Sequence, residues 1–84
     1  MATTNKKAGR QLKELRLQLK MSLRDVQERS RKIARQKKNR SFTIPISRLS
    51  NMETNGITPS IYRMSALAAI YRRDLRKLLK LYGV

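Results

Sequence analysis

The chain has 84 residues, enough for one small domain, and a formal net charge of +16 from 21 Lys and Arg against 5 Asp and Glu. Such an excess of one charge opposes a compact fold, which indicates a polyanionic partner. There is no Cys and no His, so thiolate and imidazole metal ligands, thiol catalysis and histidine acid–base chemistry are excluded. We therefore expect no metal and no cofactor.

The sequence carries no recognisable membrane or secretion signal. No apolar run approaches the ~18 residues that a membrane span needs, and residues 1–7 lack the apolar segment of a signal peptide. The basic stretches also lack the bulky apolar anchors that hold a helix on a membrane surface. We expect a cytoplasmic protein that does not contact membranes.

The first predicted helix covers about residues 10–20, after a flexible basic arm over residues 1–8. Leu12, Leu15 and Leu19 are spaced at i, i+3 and i+7, which places them on one face of a helix. Leu17 lies off that face, so it is either a lone surface side chain or part of a contact surface.

The second predicted helix covers residues 23–36 and has the clearest start in the chain. Ser22 and Asp25 have the spacing of a capping box, and Met21 and Val26 that of a hydrophobic staple. Seven basic residues and no acid then lie between residues 29 and 40. We expect residues 37–44 to form a loop, with Phe42 or Ile44 packed onto the core.

Three further helices are predicted at about residues 46–54, 59–72 and 75–82. Pro45 suits the first turn of the third helix, and Asn55-Gly56 suits its end. Thr58-Pro59 are expected to cap and begin the fourth helix, and Asp74 to cap the fifth. The expected inner faces are Leu49 and Met52; then Ile61, Met64, Leu67, Ala68 and Tyr71; then Leu75, Leu78, Leu79 and Tyr82.

Two charged residues fall within apolar helix faces. At ~100° per residue, Arg16 lies about 40° from Leu12, and Glu53 lies about 40° from Leu49. Burying either charge alone would cost several kcal/mol, whereas burial as a pair is far cheaper. We predict an Arg16–Glu53 salt bridge between the first and third helices; the alternative is that both side chains extend separately to water.

Several short motifs resemble the phage repressor and Cro-like (Xre-type) helix-turn-helix family across about residues 8–82. They are Leu12-Lys13-Glu14-Leu15-Arg16, Met21-Ser22-Leu23-Arg24-Asp25-Val26, Leu49-Ser50-Asn51-Met52-Glu53, Pro59-Ser60 and Leu67-Ala68. The resemblance implies an all-α, compact five-helix, lambda-repressor-like bundle over residues 9–84, with an embedded helix-turn-helix. The resemblance also implies a bacterial or phage protein that is associated with the nucleoid. In the family an Arg of the first helix pairs with a Glu of the third, and the matching residues here are Arg16 and Glu53.

In that family the third helix lies in the major groove of double-stranded DNA. The resemblance and the helical phase together give candidate base contacts at Ile46, Ser47, Arg48, Ser50 and Asn51. Asn can pair with adenine, Arg with guanine, and Ser with a base or a phosphate; the alternative is that they are ordinary solvated helix residues. Candidate phosphate contacts are Leu23, Arg24, Arg35, Lys37, Lys38, Arg40, Asn55, Gly56 and Thr58.

The sequence departs from the family in two places. Roughly a dozen extra residues lie between Arg29 and Ile44, where the family usually has a short turn. Leu23 stands where the family often has Gln, so a phosphate contact there falls to backbone N–H groups. The extra basic segment either follows the DNA backbone or is a solvated run of charge.

The sequence therefore favours a sequence-specific DNA-binding transcriptional regulator. A homodimer through the fifth helix is one possibility, and its apolar residues simply completing the core is the other. Rival functions are a non-specific nucleic-acid-binding protein and an antitoxin-like interaction module. We expect no enzyme and no small-molecule substrate, because the five acids are scattered and no nucleophile–base set exists.

Overall fold

The computed structural model describes residues 4–83, which form five α-helices and one turn of 3-10 helix. The helices are α1 (Lys6–Gln18), α2 (Leu23–Gln36), α3 (Ile46–Asn55), α4 (Ile61–Tyr71) and α5 (Leu75–Leu81), and the 3-10 turn is Arg40–Phe42. Within the described residues, the one extended pairing is an isolated bridge between Thr4 and Ile57. The all-α prediction is confirmed, and the bundle measures 30 × 28 × 24 Å along its principal axes.

The capping box at Ser22 fixes the start of α2. The Ser22 hydroxyl accepts the Asp25 N–H at 3.0 Å, and the Asp25 carboxylate accepts the Ser22 N–H at 2.8 Å. Hydrogen bonding to the Asp25 carboxylate, first from the Ser22 backbone and then from the Ser22 side chain, holds the pKa of Asp25 below its ordinary value. The predicted caps and the predicted bounds of α2 are both confirmed.

The start of α1 corrects the prediction of a flexible arm over residues 1–8. Asn5 caps α1 by accepting the Ala8 N–H, and its own N–H donates to the Gly56 carbonyl at 2.6 Å. The Asn5 side chain also donates to the Leu81 carbonyl at 3.0 Å. Residues 4 and 5 are therefore held against residues 56, 57 and 81, and residues 6–8 belong to α1. The rest of the predicted arm, residues 1–3, lies outside the described residues.

The other end of α1 also differs from the prediction. The helix ends at Gln18 rather than at Lys20, and Leu19 is its C-cap residue. Leu19 is therefore partly exposed, whereas Leu12 is fully buried and Leu15 packs against the core. Leu17 is 55% exposed and lies on the surface.

Helix α4 lies at the centre of the bundle, where Met64, Leu67 and Tyr71 are almost fully buried. Its cap is Ser60, whose hydroxyl accepts the Arg63 N–H, so the predicted Thr58-Pro59 start is wrong. Ile61 is 55% exposed rather than buried, since it lies about 120° around the helix from Leu67.

The segment between α2 and α3 is anchored by Ile44, which is fully buried, and by Phe42, which is partly buried. The Phe42 ring also meets Tyr62 edge-on, with ring centroids 5.4 Å apart. Both side chains named as alternative anchors therefore contribute, and the predicted loop contains the 3-10 turn. Pro45 precedes α3 as its N-cap residue rather than lying in its first turn.

Helix α5 covers one end of the core. Leu78 is buried, and Leu75, Leu79 and Tyr82 pack partly buried against the same cluster. The sequence analysis considered these side chains for a dimer interface. In the structure much of their surface packs against the core of the same molecule.

Candidate nucleic-acid interface

A buried ion pair fastens α3 to α1 and orients it. Arg16 Nε donates to Glu53 Oε2 at 2.7 Å, and Arg16 Nη2 donates to Glu53 Oε1 at 2.9 Å. Arg16 Nη1 donates to the Met21 carbonyl at 2.9 Å, and both charged side chains are under a tenth exposed. Hydrogen bonding of the guanidinium to the Glu53 carboxylate raises the pKa of Arg16 above its ordinary value. The predicted salt bridge is confirmed.

Close backbone contact accompanies the ion pair. Gly9 of α1 lies against the Met52 and Glu53 carbonyls, and a β-carbon there would collide with the Met52 oxygen. The two helices can approach this closely only because the residue is glycine. Together with Glu53, Leu49 and Met52 are buried, so one side of α3 faces the core.

The opposite side of α3 faces solvent. Ser47, Arg48 and Asn51, three of the five candidate base contacts, are exposed, whereas Ile46 and Ser50 are half-buried. All five lie within the first six residues of the helix. The structure therefore groups the predicted base-reading residues on one helix, with three of them fully accessible.

A hydrogen bond restrains Asn51 on this exposed face. Asn55, one turn further along α3, donates from Nδ2 to Asn51 Oδ1 at 3.0 Å. An amide oxygen has two lone pairs, so Asn51 can still accept a second hydrogen bond and donate from its own Nδ2. The side chain is thus held in place with the donor and acceptor that an adenine edge requires. Asn55, a predicted phosphate contact, supports Asn51.

A cleft of about 250 Å³ joins the exposed side of α3 to the start of α4. We name it the α3 cleft, and its lining residues are Arg48, Asn51, Met52, Ile57, Thr58, Pro59, Ser60 and Arg63. It brings two candidate base contacts beside the candidate phosphate contact Thr58. Sequence reasoning missed Ser60 and Arg63, although an N-cap serine followed by an arginine at a helix start is a readable signal.

The candidate phosphate contacts elsewhere are not equivalent. Gly56 is buried against the backbone of Asn5 and Lys6, with φ +70°, so it is a close-packing position and its prediction as a phosphate contact is wrong. At the start of α2, Leu23 packs against the core and Arg24 is exposed. The Asp25 carboxylate at the same helix end weakens that site for an anion.

Side chains of α2 hold the start of α3. The Ser30 hydroxyl accepts the Ile44 N–H at 2.8 Å and donates to the Gln27 carbonyl at 2.7 Å. Gln27 Oε1 accepts the Ile46 N–H at 2.9 Å, which caps α3 where Pro45 offers no side-chain cap. Sequence reasoning did not identify Gln27, because the pairing of a helical side chain with a distant backbone amide leaves no local pattern.

A second cleft, of about 350 Å³, lies between the end of α2 and the segment that follows it. We name it the linker cleft, and it is lined by Arg31, Ala34, Arg35, Lys38, Asn39, Arg40 and Thr43. It gathers three predicted phosphate contacts: Arg35, Lys38 and Arg40. Lys37, the fourth in this region, does not line it; its ammonium lies 5.5 Å from the centroid of the Phe42 ring.

None of the five acidic residues belongs to the exposed face of α3. Asp25 and Asp74 cap helices, and Glu28 pairs with Arg31 at 3.0 Å on α2. Glu53 is buried with Arg16, and Glu14 is exposed on α1. The outward side of α3 is therefore polar or basic throughout its length, which suits a polyanion.

Residues 4–83 contain neither a membrane-spanning helix nor a cluster of metal ligands. No helix in that range has the length and apolar character of a membrane span, and no three His, Cys, Asp or Glu side chains group there as metal ligands. The chain matches no protein-family model, no curated protein and no solved structure.

Proposed function

We propose that this protein is a sequence-specific double-stranded DNA-binding transcriptional regulator. In this proposal α2 and α3 form a helix-turn-helix within a lambda-repressor-like bundle, and α3 enters the major groove. One observation carries it: the buried Arg16–Glu53 pair fixes α3 so that Ser47, Arg48 and Asn51 face solvent on a chain of net charge +16. The resemblance in the sequence motifs supports the same conclusion.

The dimensions and chemistry of α3 suit this role. Its 10 residues span about 15 Å, and the major groove of B-DNA, about 12 Å wide, admits a helix. Asn51 offers the donor–acceptor pair for adenine, Arg48 offers a guanidinium for guanine, and Ser47 suits either a base or a phosphate. In this proposal the exposed Arg24, Thr58 and Arg63 of the α3 cleft, and the basic residues of the linker cleft contact phosphates.

The connection between α2 and α3 is longer than the usual turn of this motif. Residues 37–45 separate the two helices, and α2 itself has 14 residues. Gln27 and Ser30 accept hydrogen bonds from the Ile46 and Ile44 N–H groups, which hold the start of α3 and the residues before it against α2 in place of a short turn. In this proposal, these side chains and not the length of the connection set the angle between α2 and α3, and therefore the angle at which α3 enters the groove.

Selection from a random duplex library at physiological salt tests the proposal. We expect one enriched sequence, bound at least about 10³-fold more tightly than random duplex. A dimer would enrich two half-sites about 10 base pairs apart. Equal affinity for all duplexes would reject sequence-specific regulation and favour the second candidate, a non-specific nucleic-acid-binding protein. The supporting observation for that candidate is the net charge of +16.

A further inference from the structure

We propose that the linker cleft is a phosphate-binding site that takes one phosphate group per chain. The group comes either from the backbone of a bound duplex or from a small phosphorylated molecule, since the two present the same oxygens. The duplex source rests on the proposed function, whereas binding of a free phosphate does not.

The cleft has the shape and lining of a site for a compact anion. Its volume of about 350 Å³ is at the lower end of ligand pockets, about 300–1,000 Å³. Arg31 and Arg35 line one wall from successive turns of α2, and Lys38 and Arg40 line the other. Planar guanidinium groups bind phosphate oxygens in pairs, and an ammonium adds a point charge.

The charges that converge on the cleft are unbalanced. Within residues 4–83, Arg35, Lys38 and Arg40 form no ion pair, and only Arg31 has an acidic partner, Glu28. Like charges that line one cleft repel one another, and an anion bound there reduces that repulsion. Asn39 and Thr43, which complete the lining, are neutral and polar.

Backbone hydrogen bonds fix the wall of the cleft before any ligand binds. Asn39 donates its N–H to the Ala34 carbonyl at 2.9 Å, and its side chain accepts the Ser41 N–H at 2.9 Å. The Thr43 carbonyl accepts Arg63 Nε at 3.0 Å from α4. The binding of an anion therefore does not have to order a free loop, which lowers the cost of binding.

The cleft also lies next to the start of α3. Gln27, Arg31 and Ala34 fall within about 60° of one another around α2, at ~100° per residue. The same side of α2 that caps Ile46 thus continues into the cleft. A phosphate held there lies alongside the end of α3 that approaches the groove.

Lys38 provides an unusually clean test variant. It follows α2 with φ +52°, a left-handed conformation that favours glycine, and Lys20 follows α1 with φ +56°. Lys38→Gly and Lys20→Gly therefore each remove one positive charge, and each places glycine where the backbone has a left-handed conformation. Only Lys38 lines the linker cleft, so Lys20→Gly is its matched control.

Calorimetric titration of the whole protein with sodium tripolyphosphate at fixed physiological salt tests the site. We expect saturable binding of one tripolyphosphate per chain. Lys38→Gly should weaken it severalfold, and the double variant Arg35→Gln/Arg40→Gln at least tenfold, while Lys20→Gly leaves it unchanged. Binding without saturation, or equal losses in Lys38→Gly and Lys20→Gly, would overturn the proposal, and thermal melting of each variant checks that it is folded.

A selected duplex identifies the source of the phosphate. If the duplex supplies it, tripolyphosphate competes with the duplex, and Arg35→Gln/Arg40→Gln weakens duplex binding. If a small molecule supplies it, the wild-type protein binds tripolyphosphate and duplex together, and the double variant retains its duplex affinity. A failed duplex selection leaves the tripolyphosphate result intact, so failure of the site and failure of the proposed function are distinguishable.

Discussion

The amide oxygen of Gln27 accepts the backbone N–H of Ile46, the first residue of α3. Replacing Gln27 with Ala leaves that N–H without its partner, and we expect a loss of about 0.5–1.5 kcal/mol in the free energy of unfolding. Denaturant unfolding measures the loss. Gln18→Ala, which removes the same amide from the exposed end of α1, should change stability by less than about 0.5 kcal/mol; equal effects of the two variants would count against a cap on α3.

The Arg16–Glu53 pair makes a sharper prediction about two residues. Arg16→Met leaves the buried Glu53 carboxylate without its two guanidinium hydrogen bonds. We expect Arg16→Met to lower the free energy of unfolding by about 3–5 kcal/mol. The double variant Arg16→Met/Glu53→Leu should recover most of the loss, because no unpaired charge is then buried. A double variant as unstable as Arg16→Met would contradict this account.

Tyr82 gives the fold a dependence on alkaline pH. Burial raises the pKa of Tyr82 from 10.0 to about 12, and its hydroxyl has no hydrogen-bond partner within residues 4–83. The folded-state pKa is above that of the unfolded chain, so this stability is complete below pH 10 and is lost as the pH rises through about 12. Buried Tyr71 shifts in the same direction, also because of burial.

Denaturant unfolding between neutral pH and pH 11 measures this loss. Tyr82→Phe should retain stability at neutral pH, because no hydrogen bond is removed, and should show a shallower alkaline loss than the wild type. Identical pH profiles for the two proteins would show that folding does not raise the pKa of Tyr82, which would contradict this prediction.

Among the elements, α2 was predictable to the residue and α1 was not. Ser22 and Asp25 lie three residues apart, and the interactions that start α2 are contained in that short stretch. The start of α1 depends instead on Asn5, whose N–H and side chain contact Gly56 and Leu81, far along the chain. Local pattern cannot supply such long-range contacts.

The connection between α2 and α3 shows the same limit at the candidate site. The sequence indicated that Ile44 or Phe42 would anchor this segment, because both are apolar among charges. It held no sign that Gln27 and Ser30 would bond to backbone amides 19 and 14 residues away. The Arg16–Glu53 pair was predictable across 37 residues because each charge interrupts an apolar face. A polar residue at the edge of a face creates no such conflict.

The basic segment after α2 carries a prediction at the scale of an element. Replacing Lys37, Lys38 and Arg40 with Gln should flatten the dependence of duplex affinity on salt, by about 0.9 in the log–log slope for each phosphate that is no longer neutralised. The preferred sequence should stay the same, because we propose that these residues contact the DNA backbone and not the bases. Affinity for a selected duplex, measured over a series of salt concentrations, gives the slope.

A control with the same change in net charge separates direct phosphate binding from general attraction. Lys13, Lys20 and Lys80 are exposed and lie on α1, after α1 and on α5. Replacing these three with Gln should change the slope by less than the linker variant does. Equal changes would mean that the segment contributes only net charge.

At the scale of the whole molecule, the placement of five acids matters more than their number. Each acid is engaged in a helix cap or an ion pair or, for Glu14, lies on α1, and none lies on the exposed side of α3. Within the described residues, the positive charge therefore has no acidic partner on the exposed side of α3, and in the linker cleft only Arg31 has one. This arrangement costs stability through self-repulsion and favours association with a polyanion.

The central claim is that the exposed side of α3 reads base edges, and Asn51→Ala tests it most directly. Affinities of the wild type, Asn51→Ala and the control Gln18→Ala should be measured for a selected duplex and for each single-base change within it. We predict that Asn51→Ala loses about 1–3 kcal/mol on the selected duplex and no longer discriminates at one base pair, while Gln18→Ala behaves as the wild type. Unchanged discrimination at every base pair in Asn51→Ala would contradict the account.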